Sequence, residues 1–172
     1  VICNYMKIKL ILILGILFSL YSCSTEENII FEFDEVIYYN KDDIDSEFKS
    51  IYDCNTGELL EDFGCDILHD SRPEFLNDTT FADSLNLIGF TYHLIDRSFF
   101  DELRNIFTKK SLLMNETNSC EPIYRDLLIF RNKGSVKGVA KICFECNKAH
   151  IIGLPFKKIE YGKLEKILTK NR

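Results

Sequence analysis

The sequence predicts an α+β fold in which an antiparallel sheet with a C-terminal hairpin is packed by two or three helices. Residues 29–40 are rich in aromatic and β-branched side chains, as strands are. Two alternating runs, 124–131 and 136–144, flank the turn sequence Asn132-Lys133-Gly134 and predict the hairpin. Apolar side chains recur at helical spacing in three segments, 43–52, 98–110 and 159–169.

The first element along the chain is a leader that we expect to be removed. It opens at Met6, has a positive start at Lys7 and Lys9, and continues as an uncharged apolar run over 10–21. This run is long enough for export but shorter than the ~20 residues that cross a bilayer. The leader therefore predicts an exported protein.

The end of the leader, Leu20-Tyr21-Ser22-Cys23, resembles the lipobox of bacterial lipoproteins. The resemblance implies that Cys23 is acylated with palmitate-type chains and anchors an outer-membrane lipoprotein at the cell envelope, either periplasmic or surface-exposed. The expected divisions of the chain are a signal peptide (1–22), a lipidated tether (23–28) and a single globular domain (29–172).

Acidic and basic residues are divided along the chain. Residues 26–83 carry 18 acidic and 3 basic side chains, whereas residues 84–172 carry 9 acidic and 16 basic ones. We expect the two halves to face and neutralise each other within one domain, rather than to form an acidic docking surface for a basic partner. The basic half contains no Lys/Arg cluster interleaved with aromatics, so we expect no nucleic-acid partner.

The acidic half is predicted to contain the strand 29–40, a helix over 43–52 and an irregular segment, 53–83. Acidic residues at the start of 43–52 suit a helix N-terminus. Segment 53–83 is broken by the turn-forming groups Asn55-Thr56-Gly57 and Asn77-Asp78-Thr79. Loops of this segment are the expected contact surface for a partner.

A strand and a capped helix are expected next. Residues 87–94 predict a buried strand that carries His93. Ser98 and Asp101 have the spacing of a capping box, which predicts a helix running to about Lys110. Its inner face would hold Phe99, Phe100, Leu103, Ile106 and Phe107.

The hairpin register follows from its turn. If Asn132-Lys133-Gly134 is a three-residue loop with Gly134 left-handed, Arg131 pairs with Ser135. The core face of the hairpin would then hold Tyr124, Leu128, Phe130, Val136, Ala140, Ile142 and Phe144. Residues 149–154 predict a last short strand, and 159–169 a terminal helix with Tyr161, Leu164, Ile167 and Leu168 on one side.

The cysteines are predicted to pair, because export places them in an oxidising space. The hairpin register puts Cys120 opposite Cys146 and predicts a cross-strand disulfide, worth roughly 3 to 4 kcal/mol on the chain-entropy model. Cys54 and Cys65 bracket a loop and form a second candidate pair. Cys143 is left unpaired.

An alternative use of the same residues is a zinc site. Cys120, Cys143, Cys146 and His150 are four ligands of suitable types, and the spacing Cys-x2-Cys-x3-His is acceptable. In a continuous strand, however, Cys143 and Cys146 would point to opposite faces. We therefore favour disulfides and expect no metal or other cofactor.

Catalysis has little support in the sequence. A Ser or Cys nucleophile needs a neighbouring base, and no motif places His69, His93 or His150 beside one. Redox chemistry is also disfavoured, because the pair Cys143 and Cys146 ends a β run instead of opening a helix. No catalytic residue is therefore assigned.

Residues 120–146 resemble small uncharacterised lipoproteins of Bacteroidetes type in the pattern Cys-x-Pro…Leu-Ile-Phe…Gly…Ile-Cys-Phe-x-Cys. The resemblance implies no activity. The expected function is that of an exported, lipid-anchored envelope protein with a noncatalytic binding or structural role. The alternatives are a periplasmic inhibitor or immunity protein that binds a basic toxin and, third, a zinc- or thiol-dependent protein.

Overall fold

The computed structural model describes residues 31–42, 59–69, 72–108, 119–155 and 159–172. These residues contain five strands and four α-helices, so the α+β prediction is confirmed. The elements in chain order are β1 (Glu35–Asn40), α1 (Leu59–His69), α2 (Thr79–Ser84), β2 (Thr91–Leu94), α3 (Phe100–Thr108), β3 (Asp126–Asn132), β4 (Ser135–Cys143), β5 (Lys148–Ile152) and α4 (Tyr161–Lys170).

The strands form one antiparallel sheet in the order β2-β1-β3-β4-β5, with helices on both of its faces. One core cluster joins the sheet to α3 and α4, and we call this side the α3/α4 face. A second cluster joins the opposite side to α1, α2 and the short 3-10 helix Leu85–Ile88, and we call it the α1/α2 face.

Strand β3 lies at the centre of this arrangement. Its residues alternate between the two clusters, with Leu128 and Phe130 on the α3/α4 face and Leu127 and Ile129 on the α1/α2 face. All four side chains are almost completely buried. A strand with apolar residues on both sides needs cover on both sides, which explains why the helices are divided between the faces.

The hairpin turn differs from its prediction. Lys133 and Gly134 have φ values of 51° and 76°, and Asn132 pairs with Ser135, so the loop has two residues and the left-handed pair of a type I′ turn. Between Phe130 and Arg131 the register shifts, leaving Lys137 as an extra residue on β4. The predicted pairing of Arg131 with Ser135 is therefore wrong.

The bulge changes one face assignment. Leu128, Phe130, Ala140 and Ile142 share the α3/α4 face, with Phe144 packed against it, as predicted. Val136 instead packs on the α1/α2 face, because the extra residue reverses the alternation at the start of β4. The other exception, Tyr124, precedes β3 and packs with cysteines.

The acidic half is more regular than expected. The predicted strand is shorter, since β1 begins only at Glu35, while the predicted helix 43–52 lies outside the described residues. The expected irregular segment contains two helices, α1 and α2. The side chains of Phe63, Ile67 and Leu68 meet the second core cluster from one side of α1, a helical pattern that the neighbouring Gly and acidic residues obscured.

The predicted buried strand 87–94 is wrong in extent and burial. The 3-10 helix Leu85–Ile88 occupies its first part and ends at Gly89, whose φ is 85°. The remainder, β2, is the edge strand, and Tyr92 and Leu94 are exposed. The apolar residues of this stretch belong to two adjacent elements. Read as one continuous apolar run, they resembled a single buried strand.

The start of the helix after β2 also differs from its prediction. The side chain of Asp96, not Ser98, accepts a hydrogen bond at this terminus, from the Ser98 amide at 2.8 Å. Asp101 accepts from Arg104 instead of closing a capping box. The predicted inner face is nevertheless buried at Phe100, Leu103, Ile106 and Phe107.

A pair of glycine substitutions tests the turn geometry. Gly134→Ala places a side chain at φ 76°, where open space surrounds the new Cβ, so its cost is purely conformational. We expect it to lower the free energy of unfolding by about 1 kcal/mol. Gly162→Ala, on α4 and equally unobstructed, is expected to raise it by up to about 1 kcal/mol. Urea unfolding of both variants measures the two changes, and a Gly134→Ala chain at least as stable as wild type would contradict the assigned turn.

Candidate functional site

A cleft of about 440 Å³ opens on the α1/α2 face beside the β3–β4 turn. One wall comes from the chain between α1 and α2 together with α2, and the other comes from the hairpin. Its lining residues are Pro73, Phe75, Leu76, Asp78, Phe81, Ala82 and Asp83 on the first wall, and Ile129, Arg131, Gly134, Ser135, Val136 and Val139 on the second.

Local hydrogen bonds and one glycine position the first wall. The Asp78 amide donates to the Phe75 carbonyl at 3.2 Å, and the Asp78 side chain accepts from the Phe81 amide at 3.3 Å, capping α2. Leu76 packs at Gly153, where an added Cβ would lie 2.5 Å from Leu76 Cδ1. This wall therefore rests on the end of β5, and it leaves the Phe75 ring 66% exposed beside the cleft.

The sheet wall follows from the hairpin register. Ile129 lies opposite Val139, and Arg131 lies opposite Val136, so the four side chains share the α1/α2 face. The bulge matters here, because without the extra Lys137 the alternation would carry Val136 to the other face. The result is an apolar floor with one guanidinium at the hairpin end.

The Arg131 side chain is only loosely held. Its NH1 atom lies 3.4 Å from a Glu35 carboxylate oxygen, and both groups are partly exposed. Among the described residues, the buried Nε–H of Arg131 has no hydrogen-bond acceptor. The side chain is nevertheless 29% exposed and makes only this one long contact, so the accessible part of the guanidinium keeps unused capacity for an anionic group.

Opposite charges meet around this side chain. Burial raises the pKa of Tyr39, Arg131 lowers it and Asp83 raises it. Both charges therefore act on one phenol, while Asp83 and Arg131 also line the same cleft. The site combines an apolar floor, a cationic group and a carboxylate, and its volume falls within the about 300–1,000 Å³ typical of small-molecule pockets.

A second polar group of residues lies on the α3/α4 face at the opposite end of β3. The Tyr38 hydroxyl donates to Asp126 at 2.5 Å, and the Arg172 guanidinium donates to both Tyr38 and Asp126 at 2.9 Å. Arg172 also lies 3.4 Å from Asp42. These side chains satisfy one another, and we interpret the network as an attachment of Arg172, two residues after α4, to the sheet.

Lys141 is completely buried on the α1/α2 face. Its Nζ donates to the Ile67 carbonyl at 2.7 Å and lies 4.6 Å from the centre of the Tyr124 ring. The Tyr124 amide donates to the Leu68 carbonyl at 2.8 Å. A cation and an amide thus meet carbonyls at the C-terminus of α1, where the helix dipole favours positive charge.

His69 ends the same helix and is partly buried. Burial lowers the pKa of His69, the nearby Lys141 lowers it further, and Glu121 opposes them. His93, on β2, lies 3.0 Å from the Asn40 side chain through Nε2. Neither histidine lines the cleft described above.

The cysteines form a third cluster. Cys120 and Cys146 are joined by a disulfide with their Cα atoms 5.7 Å apart, and both pack near Tyr124 and Cys143. The bond is not cross-strand: Cys120 precedes β3, and Cys146 lies in the turn between β4 and β5. That turn, closed by the Asn147 amide on the Phe144 carbonyl, brings Cys146 back towards Cys120.

Two further cysteines, Cys65 and Cys143, lie within the described residues. Cys65 is buried on α1 and disulfide-bonded, while its predicted partner Cys54 and the lipidation site Cys23 lie outside the described residues. Cys143 is a buried free thiol that donates to a Glu145 oxygen at 3.6 Å.

The alternative zinc ligands share one region of the sheet. Cys143 pairs in register with Lys148, and Lys141 pairs with His150, so Cys143 and His150 lie on the same face. Cys120 and Cys146 are bonded to each other and offer no thiolate in this structure. No group of three or more potential metal ligands occurs within the part of the chain that is described.

The sequence pointed to one wall of the cleft and not to the other. Loops of the acidic segment were the expected contact surface for a partner; seven residues between 73 and 83 line the cleft, and their contact with a partner stays a prediction. Arg131 and Val136 were missed because the bulge that aligns them has no distinctive residue pattern. A lone Arg at the end of an apolar strand, pointing to the same face as Ile129, was the available clue.

The buried phenols predict instability in alkali. Burial raises the pKa of Tyr38 far above its ordinary 10.0, helped by the charge and hydrogen bond of Asp126, and burial also raises the pKa of Tyr39 and Tyr124. Unfolded phenols ionise first, so the folded state binds more protons and the free energy of unfolding falls as the pH rises above 10.

Tyr38→Phe isolates the contribution of one phenol. We expect the free energy of unfolding of this variant to be about 1–3 kcal/mol lower than that of wild type at neutral pH, because Asp126 loses a hydrogen-bond donor. As the pH rises above 10, its free energy of unfolding should fall less steeply than that of wild type. Urea unfolding between about pH 7 and pH 11 measures both effects. Tyr92→Phe is the control, since Tyr92 is 58% exposed. Identical pH profiles for wild type and Tyr38→Phe would show that Tyr38 is not a contributor.

The cysteine cluster predicts a specific labelling pattern. Alkylation in denaturant without reductant is expected to modify Cys143 and to leave a peptide pair joined through Cys120 and Cys146. Mass spectrometry of the digested chain identifies both products, and metal analysis of the native protein accompanies it. If all three residues were alkylated and one zinc ion were bound per chain, the disulfide would be refuted and the zinc site favoured.

Comparison of the chain with protein-family models, with curated proteins and with solved structures found no match.

Proposed function

We propose that this chain is an exported, lipid-anchored binding protein of the bacterial cell envelope. The observation that supports export is the disulfide between Cys120 and Cys146. Cys65 is also disulfide-bonded. Structural disulfides persist in oxidising compartments outside the cytoplasm. They agree with a leader that ends in a lipobox at Cys23.

The anchor is a lipid in this proposal. Among the described helices, none has the length and apolarity needed to cross a bilayer. The leader itself lies outside those residues, and its apolar run is short for a span. Acyl chains on Cys23 would hold the domain at a membrane surface through the tether 24–28.

A binding role is supported by the content of the cleft. Most of its lining residues are apolar, with Asp83, Arg131 and Ser135 among the polar ones, and the lining includes neither His nor Cys. Concave sites with an apolar lining and a few polar groups suit ligand binding. Ser135 has no histidine beside it in this lining to act as a base, which favours binding over acyl-transfer chemistry.

The charge distribution supports a binding protein over the alternative of a periplasmic inhibitor that binds a basic toxin. Arg131 pairs with Glu35 and Arg172 pairs with Asp42, so basic residues of the second half meet acidic residues of the first half. The Lys133 amide also donates to Asp34, at 3.0 Å. The acidic half thus uses part of its charge within the domain.

Acylation of Cys23 tests the proposed anchoring. Metabolic labelling with a palmitate analogue is expected to mark wild-type chain and to fail with Cys23→Ser, which should shift from the membrane to the soluble fraction. Cys3→Ser is the matched control, because Cys3 precedes the expected cleavage site and its loss should change neither result. Equal labelling and membrane association of Cys23→Ser would refute the lipid anchor.

A further inference from the structure

We infer that the cleft between segment 73–83 and the hairpin binds a short zwitterionic peptide with apolar side chains. This inference rests on the proposed binding role and adds the chemical class of the ligand. It depends on three properties of the described residues: the apolar floor, the unused capacity of Arg131 and the carboxylate of Asp83.

The apolar floor indicates the body of the ligand. Ile129, Val136 and Val139 present aliphatic side chains from two paired strands, and Phe81 closes the floor from α2. The exposed Phe75 ring stands at the same cleft. Burial of apolar ligand side chains against these groups would be favourable at roughly 25 cal/mol per Å².

Arg131 indicates a carboxylate at one end of the ligand. Its buried Nε–H has no acceptor among the described residues, and its contact with Glu35 is long at 3.4 Å. A planar guanidinium binds a carboxylate through two parallel N–H donors. Because the Arg131 side chain is 29% exposed, a terminal carboxylate in the cleft would pair with its accessible N–H donors.

Asp83 indicates a cation at the other end. It is exposed, lines the cleft and lies within electrostatic range of the same Tyr39 phenol as Arg131. A ligand with only a carboxylate would gain Arg131 and be repelled by Asp83. A ligand with both an ammonium and a carboxylate complements both charges, as free peptide termini do.

The cleft volume limits the ligand length. About 440 Å³ suits a small organic molecule, the size of a peptide of two or three residues. A folded protein partner could insert only a chain end here. The inferred ligand is thus a short peptide with free termini.

Titration calorimetry on the full chain in detergent tests this inference, with the dipeptide of two leucines as the probe. We expect saturable binding of this zwitterion. Acetylation of its amino group or amidation of its carboxyl group is each expected to weaken binding about tenfold or more, because each removes one charge pair.

Variants assign each charge to its residue. Arg131→Ala should weaken binding of the free dipeptide about tenfold and leave binding of the amide unchanged, because the amide has no carboxylate to lose. Asp83→Asn should weaken binding of the free dipeptide and leave binding of the acetylated form unchanged. Glu102→Gln is the control: it removes an exposed acid on α3 that does not line the cleft, and it should leave binding of all three dipeptides unchanged.

Folding of each variant is checked by circular dichroism. If Arg131→Ala does not fold, Arg131→Lys replaces it, and this variant should also bind the free dipeptide more weakly, since Lys lacks the paired donors. Absence of binding by the wild-type chain, equal binding of the capped dipeptides, or unaltered binding by folded Arg131 variants would overturn the inference. Acylation of Cys23 is measured separately, so failure here leaves the anchoring result intact.

Discussion

The structure depends on the central strand β3 being buried on both sides. Four consecutive side chains, from Leu127 to Phe130, are at most 1% exposed. A strand of this kind cannot lie on a sheet with one solvated face, so apolar helices must cover both faces. The pairs of helices, α1 with α2 and α3 with α4, meet this requirement from opposite sides. The division of the helices into two layers follows from it.

The two ends of β3 carry charges that are satisfied to different degrees. Asp126, at the first end, accepts from Tyr38 and from Arg172, and Arg172 also donates to the Tyr38 hydroxyl. Arg131, at the other end, has one long contact with Glu35 and an Nε–H without an acceptor in the described chain. Buried polar groups are nearly always paired in proteins, so the first end is a satisfied structural network, whereas Arg131 is the group to which we assign the proposed ligand.

The sequence predicted the fold class, the hairpin and the terminal helix because these features depend on local periodicity. Leu128, Phe130, Ala140 and Ile142 alternate as their strands require, and Leu164, Ile167 and Leu168 recur at helical spacing. The misses share a different cause. Helix α1 was obscured by Gly64 and by acids, and the apolar run 87–94 was divided at Gly89 between a 3-10 helix and an edge strand. Burial of such segments depends on tertiary partners that periodicity does not specify.

The cleft could be predicted only in part because its composition depends on a single inserted residue. Lys137 shifts the register of β4 and brings Val136 to the face that holds Ile129 and Arg131. At the other end of the hairpin, the disulfide between Cys120 and Cys146 fixes the chain covalently. The sheet is thus held by its core and its crosslink at a distance from the turn. Substitutions at the turn and in segment 73–83 can therefore alter the lining of the cleft while β3 and the two core clusters keep their packing, and a rigid scaffold that carries a variable surface is what the proposed binding role requires.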